Sequence, residues 1–233
     1  MWIRWNHLIN GIKDMIKVYF ANIELLNESE YFEKGFEAVH SMRQKKVLRC
    51  KQEMDKKRSL LVGLLLKLAL ETEGYVYETL DFALEEHGKP VIKNIENVFF
   101  SLSHTGKYAF CCISDHPIGL DAEGKEKSFL KEEKIERLYV MAKKIFSEKE
   151  YEKFLDCDDV RKVQLFLKYW TRKESYSKSL GEGIRMDFSK IDTESMENAF
   201  WSDWLEEDCY ASIYSAQGNY NEVKIQKVLD FEI

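Results

Sequence analysis

The feature that most constrains the fold is an apolar run from Leu60 to Leu70, in which Lys67 is the one charged residue. The stretch 59–71 predicts a helix that is apolar on nearly every side, and such a helix must be buried on most of them. The run is far shorter than the roughly 20 residues needed to span a bilayer. We therefore expect a soluble globular protein that buries this helix.

The composition supports the same conclusion. The 233 residues are 45% hydrophobic and 33% charged, with only two prolines and 11 glycines, which excludes a disordered, fibrous or collagen-like chain. The length suits one large domain or two of about 110 residues each. The first 20 residues mix apolar, charged and amide side chains and do not resemble a signal peptide. We expect a cytoplasmic protein with no membrane partner.

The five cysteines predict neither disulfides nor a zinc site. Their number is odd, no two are spaced as C-x-x-C, and Cys111 and Cys112 lie within an apolar, strand-like run. Reduced, buried thiols explain this pattern best.

Periodicity and turn residues divide the chain into strands and helices. Strands are expected over residues 15–26, 98–103, 108–114, 118–123, 209–216 and 222–231, and helices over 28–57, 59–71, 132–145, 147–155 and 160–180. Ser147 and Glu150 have the spacing of a capping box, and Gly181 and Gly183 end the last helix. Each half combines strands with a long helix, so we expect an α+β fold of two similar lobes, residues 15–115 and 116–233. Residues 1–14 form an extension, for which an upstream start codon in place of Met15 is one explanation.

Two carboxylates lie close together in the sequence Asp121-Ala122-Glu123. If residues 118–123 form a strand, side chains two residues apart point to the same face. Paired carboxylates repel unless a cation or a proton is shared between them, and Mg²⁺ prefers oxygen ligands of this kind. Two solvated acids at a strand end are the alternative, because acidic surface pairs are common.

The long helix carries a second group of polar residues. A spacing of four places Trp170, Glu174 and Lys178 on one face, with Lys173 beside them. The simpler interpretation is a surface Glu–Lys pair beside a Trp that packs into the core, and core packing is what we expect for Trp170 itself.

Two further segments suggest anion binding. Ser103 and His104 precede a turn at Gly106, where an imidazole beside hydroxyls can bind phosphate or simply cap the turn. Residues 43–58 contain eight basic residues against two acidic ones on a chain of net charge −6. Such an island suggests a small polyanion or an acidic protein partner. Nucleic acid is disfavoured, since no binding motif is visible, and a solvated helix face is the alternative for about half of these residues.

Taken in order, these segments resemble the 4′-phosphopantetheinyl transferases of the larger, monomeric type that activates peptide and polyketide synthases. The family pattern is Gly-hydrophobic-Asp-x-Glu followed by W-x-x-K-E-x-x-x-K, which stands here as residues 119–123 and 170–178. The upstream segments Gly88-Lys89-Pro90 and 101–106 and the segment 146–151 also match. The resemblance runs from about Met15 to at least Gly183. Two features depart from it: residues 1–14, and a Lys/Glu-rich helix expected over 125–144.

The resemblance implies a pseudo-dimer of two α+β lobes with the active site in the cleft between them. It also implies roles for particular residues. Mg²⁺ would be held against the pyrophosphate of coenzyme A by Asp121, Glu123 and Glu174. Coenzyme A would be contacted along its phosphates by Ser103, His104 and Lys178, and around its 3′-phosphate by Arg43, Lys46, Arg58, Ser59 and Lys89.

The implied reaction is that of a holo-acyl-carrier-protein synthase. A serine of an acyl or peptidyl carrier protein would attack the β-phosphate of coenzyme A, and 3′,5′-ADP would leave. Lys173 would contact phosphate or activate the acceptor, and the serine proton would go to Glu150, Glu174 or a metal-bound hydroxide. We expect Glu150, by its position, so that Glu150→Gln should lower turnover while sparing Mg²⁺-dependent coenzyme A binding.

Two other classes of protein are compatible with parts of the sequence. One is a relative that binds carrier proteins or nucleotides without turnover, which the intact metal and phosphate residues disfavour. The other is a polyanion-binding module using residues 43–58, whose binding would depend on salt and not on Mg²⁺. Because two lobes lie in one chain, we expect a monomer.

Overall fold

The computed structural model describes residues 16–124, 132–206, 208–217, 220 and 223–231. Helices and strands both contribute extensively to this part of the chain, so the predicted α+β class is confirmed. The predicted extension 1–14 and the start of the helix predicted over 125–144 lie outside the described residues.

The described elements alternate between strands and helices along the chain. The strands are β1 (Ile16–Asn22), β2 (Phe82–Leu84), β3 (Pro90–Ile92), β4 (Phe99–Thr105), β5 (Tyr108–Ser114), β6 (Gly119–Gly124), β7 (Phe200–Glu206), β8 (Cys209–Tyr214) and β9 (Val223–Lys227). The helices are α1 (Ser29–Ala38), α2 (Ser41–Arg49), α3 (Glu53–Thr72), α4 (Glu132–Ile145), α5 (Glu148–Leu155) and α6 (Asp159–Leu180). None of these helices combines the length and apolar character needed to cross a bilayer.

The strands form two main sheets and a short hairpin. The first sheet has the order β4-β5-β1-β9, the second has the order β6-β8-β7, and β2 pairs with β3. β9 lies parallel to β1, so a strand that we had assigned to the second lobe belongs to the sheet of the first. The C-terminal strand β9 therefore pairs within the sheet of the first lobe, although its residues are expected in the second.

Each main sheet packs against one long helix. In the first, α3 covers β1 and β5, and Leu60, Leu61 and Leu65 on this helix are fully buried. This burial is what the apolar run predicts. In the second, α6 lies across β6 and β8 and ends at Gly181, whose left-handed conformation (φ 76°) favours glycine. A third cluster of apolar side chains joins α4 and α5 to α6.

Several element boundaries differ from the predictions. The helical stretch expected over 28–57 is divided into α1, α2 and the first turn of α3, because the chain is extended at Val39 and His40 between the first two. The imidazole of His40 then accepts the N–H of Met42 and caps α2. Strand β7 and the hairpin of β2 and β3 were not predicted, since their residues are mostly half-buried and mix polar with apolar side chains. The capping box of Ser147 and Glu150 is confirmed.

Candidate active site

The site lies where the first sheet meets the second. The edge strands β4 and β6 are joined by side chains, because three hydroxyls on alternate residues of β4 share one face of that strand. Each accepts a backbone N–H of β6: Ser101 from Leu120 (2.9 Å), Ser103 from Ala122 (3.3 Å) and Thr105 from Gly124 (2.9 Å). These bonds hold the two sheets in a fixed register.

The two carboxylates of β6 lie on this seam. Ser103 Oγ is 3.0 Å from Asp121 Oδ1, and Thr105 Oγ1 is 3.3 Å from Glu123 Oε2. On the other side, the Nε1–H of Trp170 donates to Glu123 Oε1 at 3.2 Å. Both carboxylates are therefore oriented by neighbours and do not extend freely into solvent.

A close approach of α6 to β6 adds the third carboxylate. A Cβ on Gly119 would lie 1.8 Å from the carbonyl oxygen of Ser175, so only glycine permits this contact between strand and helix. Ser175 follows Glu174 directly in α6, and Lys178, one turn further on, donates to Asp121 Oδ1 at 2.6 Å. The glycine of the Gly-hydrophobic-Asp-x-Glu segment thus brings the helix motif against the strand motif.

The carboxylates interact electrostatically. Burial, together with the negative charges of Asp121 and Glu123, raises the pKa of Glu174 to about 7. Burial and the charge of Asp121 also raise the pKa of Glu123, which the hydrogen bonds from Trp170 and Thr105 oppose. Such shifts identify a cluster of negative charge that a cation would stabilise.

The donor chemistry of this cluster fits Mg²⁺. No three His, Cys, Asp or Glu side chains in the described part of the chain form a ready-made metal cage. Mg²⁺ does not require one, since waters and substrate phosphates complete its coordination beside the protein carboxylates. Asp121 Oδ2 is buried and has no hydrogen-bond partner, and such an oxygen is a natural ligand for a cation. Asp121, Glu123 and Glu174 are the residues that would hold the ion.

A cavity of about 410 Å³ opens beside Asp121 and Lys178. Most of the residues predicted to bind coenzyme A line it, together with Asp121 of the predicted metal set: Arg43, Lys46, Ser59, Lys89, Ser103, His104 and Lys178. The segment Gly88–Pro90 and the end of α6 at Gly181 complete the wall. The structure therefore gathers into one cavity side chains that are up to about 135 positions apart in the sequence.

Several side chains of the cavity wall have properties suited to binding an anion. The hydroxyl of Ser59 is buried and has no hydrogen-bond partner. Lys89 Nζ donates to the carbonyl of Ser179 at 2.7 Å near the end of α6, and loss of hydration lowers its pKa. Partial loss of hydration and the positive charges of Arg58, Lys178 and Lys46 lower the pKa of His104, so this imidazole is neutral at pH 7.

Arg58 differs from its predicted position. Its Nε donates to the carbonyl of Gly106 at 2.6 Å and its Nη1 to Asp55 at 2.9 Å, and it is not among the residues that line the cavity. Its guanidinium contributes to the site through its electrostatic effect on His104. The contact of Arg58 with the 3′-phosphate stays a prediction, which would need this side chain to leave Gly106 and Asp55.

Seven of the eight basic residues in the stretch 43–58 fall into two groups. Lys56 and Arg58 form ion pairs with Glu53 and Asp55, and Lys57 donates to Asn27. Within the described chain, no ion pair is formed by the four cations of α2, which are Arg43, Lys45, Lys46 and Arg49. The charges of this second group are therefore not neutralised by an ion pair within the described residues.

Glu150 and Lys173 do not face the cavity. They form an ion pair of 2.7 Å in which both side chains are 0% exposed. Lys173 also donates to the carbonyls of Phe188 and Ile191, while Glu150 accepts the N–H and hydroxyl of Thr193. In this structure neither group faces the cavity, and the action on the substrate that we expect of them stays a prediction. They instead tie the segment 188–193 to α6.

Two residues of the site were not predicted to take part in it. Thr105 orients Glu123, and it continues the alternation of hydroxyls at residues 101 and 103 along β4. Trp170 packs against Phe166 and Phe188, as expected of a core residue, but it also donates to Glu123. The period-two spacing of hydroxyls was visible in the sequence, whereas the indole contact depends on the packing of α6 against β6.

Comparison with known proteins places the chain in a family. A model of the 4′-phosphopantetheinyl transferase superfamily matches residues 117–221, and a model of the N-terminal part of 4′-phosphopantetheinyl transferases matches residues 27–116. Among curated proteins, the 4′-phosphopantetheinyl transferase Sfp of Bacillus subtilis (strain 168) is 26% identical over 210 residues, which are 88% of this chain and 89% of that protein.

Two other relatives show the same likeness. The 4′-phosphopantetheinyl transferase gsp of Aneurinibacillus migulanus is 28% identical over 190 residues, 81% of this chain and 72% of that protein. The 4′-phosphopantetheinyl transferase HetI of Nostoc sp. (strain PCC 7120 / SAG 25.82 / UTEX 2576) is 34% identical over 107 residues, 44% of this chain and 42% of that protein. Because two models of one family match in succession from residue 27 to residue 221, this protein belongs to the 4′-phosphopantetheinyl transferase superfamily.

Proposed function

We propose that the protein transfers the 4′-phosphopantetheine arm of coenzyme A to a serine of an apo acyl or peptidyl carrier protein and releases 3′,5′-ADP. The names of its relatives support the general reaction. The observation that carries the proposal is the 410 Å³ cavity. Its wall combines Arg43, Lys46 and Lys89, which form no ion pair within the described residues, with Asp121 and its unpartnered oxygen. Coenzyme A carries a 3′-phosphate and a pyrophosphate, so it matches such a wall in charge.

Binding of coenzyme A follows from the positions of these cations. Arg43, Lys46 and Lys89 would neutralise the 3′-phosphate, and the free hydroxyl of Ser59 would donate one hydrogen bond to it. Lys178 and His104 would contact the pyrophosphate. Bound in this way, coenzyme A would have its β-phosphorus beside the carboxylate cluster.

The carboxylates would hold Mg²⁺ through Asp121, Glu123 and Glu174. When bound there with the pyrophosphate, the ion would neutralise charge on the phosphoryl oxygens. Ser103 and Thr105 keep Asp121 and Glu123 in place, and Trp170 restrains Glu123 from the opposite side. Lys178 already neutralises Asp121 Oδ1, which leaves Oδ2 for the cation.

The nucleophile is the serine hydroxyl of the carrier protein. The enzyme therefore needs no activated Ser or Cys of its own. The serine Oγ forms a bond to the β-phosphorus while the bond from that phosphorus to the bridging oxygen breaks, and 3′,5′-ADP leaves with the bridging oxygen. Glu174 accepts the serine proton on the carboxylate oxygen that does not hold the ion, because its half-buried side chain lies at the carboxylate cluster. The ammonium of Lys178 stabilises the negative charge of the leaving group. Because both lobes belong to one chain, we propose that a monomer carries out the reaction.

The experiment that tests this proposal is detection of 3′,5′-ADP by chromatography after mixing the protein with coenzyme A, an apo carrier protein and Mg²⁺. The nucleotide should appear in proportion to the carrier consumed, and Asp121→Asn should abolish it. Lys51→Gln is the matched control, because Lys51 is exposed and lies outside the cavity wall. Binding of coenzyme A without release of 3′,5′-ADP from any carrier type would instead indicate a relative without turnover.

A further inference from the structure

A second cavity, of about 570 Å³, lies between α2, α3 and the hairpin of β2 and β3. Arg43, Lys46, Gly88 and Pro90 line both this cavity and the first one. None of the roles proposed above uses its remaining walls. Its volume is within the range of pockets that bind small organic molecules.

The inner wall of this second cavity is apolar and aromatic. The rings of His40 and Phe82 are 5.0 Å apart, and those of Tyr77 and Phe82 are 5.4 Å apart. Two hydrogen bonds fix these rings, since Tyr77 Oη accepts the N–H of His40 and His40 Nδ1 accepts the N–H of Met42. Leu66 adds aliphatic surface. The wall is therefore preformed, and aromatic rings arranged in this way favour a flat, apolar ligand.

The remaining side chains that line the cavity make it positive. Lys45 and Arg49 line this cavity and not the first one. With Arg43 and Lys46 they are the four cations of α2, none of which forms an ion pair within the described residues, and no described Asp or Glu lines the cavity. Clustered like charges repel one another, and an anion bound between them would relieve that repulsion.

We propose that this second cavity binds a planar aromatic molecule that carries one acidic group, such as a carboxylate, sulfonate or phosphate. The ring occupies the wall formed by His40, Tyr77 and Phe82, and the acidic group pairs with Lys45 and Arg49. We also propose that its binding weakens the binding of coenzyme A, because Arg43 and Lys46 line both cavities. This second part rests on the proposed function, whereas the first does not.

The probe for the experiment is 1-anilinonaphthalene-8-sulfonate, a flat aromatic anion whose fluorescence rises on transfer to an apolar site. Its dissociation constant is measured by fluorescence titration of the folded protein, with and without saturating coenzyme A. The test variant is Lys45→Gln/Arg49→Gln, and the matched control is Lys51→Gln/Lys57→Gln, which removes the same charge from the same basic stretch. Phe82→Leu tests the aromatic wall while keeping it apolar.

We expect the test variant to weaken probe binding by about tenfold or more, Phe82→Leu by about fivefold, and the control by less than twofold. Coenzyme A at saturation should raise the dissociation constant of the probe about three- to tenfold. Higher concentrations of coenzyme A should raise it no further. Equal probe binding by the test variant and the control would overturn the proposed site. Coenzyme A could instead displace the probe completely while the Lys45→Gln/Arg49→Gln variant binds the probe as tightly as the control does. That result would show that the probe binds in the first cavity, and it would also overturn the proposed site.

Calorimetry of coenzyme A binding separates the two parts of the proposal. If coenzyme A binds and leaves the probe unaffected, the coupling between the cavities is wrong. If coenzyme A does not bind at all, the proposed function fails, and the response of the probe to the test variant still decides whether the second cavity takes an aromatic anion.

Discussion

The hydroxyl of Ser103 lies 3.0 Å from Oδ1 of Asp121, across the seam where the two sheets of the protein meet. Ser103 Oγ also accepts hydrogen bonds from the backbone N–H of Ala122 and from the ammonium of Lys178. One side chain thus connects the join between the sheets, the carboxylate cluster and the cation that neutralises it. This contact explains how two lobes of one chain can maintain one site.

Ser103→Ala should therefore damage both the fold and the site. Loss of its bonds leaves Asp121 and the N–H of Ala122 with fewer partners and should cost about 1–3 kcal/mol of unfolding free energy, measured by urea denaturation. Ser101→Ala is the matched control, because Ser101 bonds to the backbone of Leu120 and not to a carboxylate. Both variants should lose stability, but only Ser103→Ala should weaken Mg²⁺-dependent coenzyme A binding. An equal effect of both on that binding would contradict the role given to Ser103.

Gly119→Ala tests the close approach of α6 to β6. Its Cβ would meet the carbonyl oxygen of Ser175 at 1.8 Å, and because this oxygen belongs to the backbone the helix must move. We expect a loss of about 3 kcal/mol or more in thermal or urea unfolding. Gly124→Ala on the same strand would meet Thr105 Oγ1 at 3.3 Å and the carbonyl oxygen of Asp208 at 3.8 Å, and it should cost about 1 kcal/mol or less. Similar losses in the two variants would show that the contact does not determine the packing of α6.

The buried pair of Glu150 and Lys173 leads to a prediction about stability, not about proton transfer. Glu150→Gln leaves the charge of Lys173 uncompensated in the interior and should cost about 3–5 kcal/mol of unfolding free energy. Adding Lys173→Met to Glu150→Gln should recover part of this loss, because the unpaired charge is then gone. If Glu150→Gln kept full stability and lost only turnover, Glu150 would be the general base after all.

His104 should take up a proton when coenzyme A binds. Its lowered pKa leaves it neutral at pH 7, and a phosphate bound beside it raises that pKa by stabilising the imidazolium. At a pH between the pKa of His104 in the free protein and its pKa in the complex, binding of coenzyme A takes up protons. The affinity for coenzyme A should therefore rise as the pH falls from 8 toward the pKa of His104 in the free protein. Calorimetry without metal at pH 7.5, in two buffers of different ionisation enthalpy, measures this uptake. His104→Gln should reduce it, and an unchanged proton count would exclude His104 from phosphate contact.

The sequence predicted some parts of this molecule well, for identifiable physical reasons. The apolar pattern of α3 determines its burial, and the spacing of Asp121 and Glu123 determines their common face, because both depend on local geometry. The roles of Glu150 and Arg58 could not be read in this way. Whether a charged side chain faces a ligand or an internal partner depends on distant residues, which here are Lys173 for Glu150 and Gly106 for Arg58. The pairing of β9 with β1 likewise joins segments about 200 residues apart.

The most direct test of the central claim is the intact mass of an apo carrier protein after incubation with this protein, coenzyme A and Mg²⁺. We predict a gain of one phosphopantetheine arm on the carrier serine, lost both with Asp121→Asn and when Mg²⁺ is removed by a chelator. Unchanged mass of acyl and peptidyl carriers alike, with a folded protein that does not bind coenzyme A, would contradict the account.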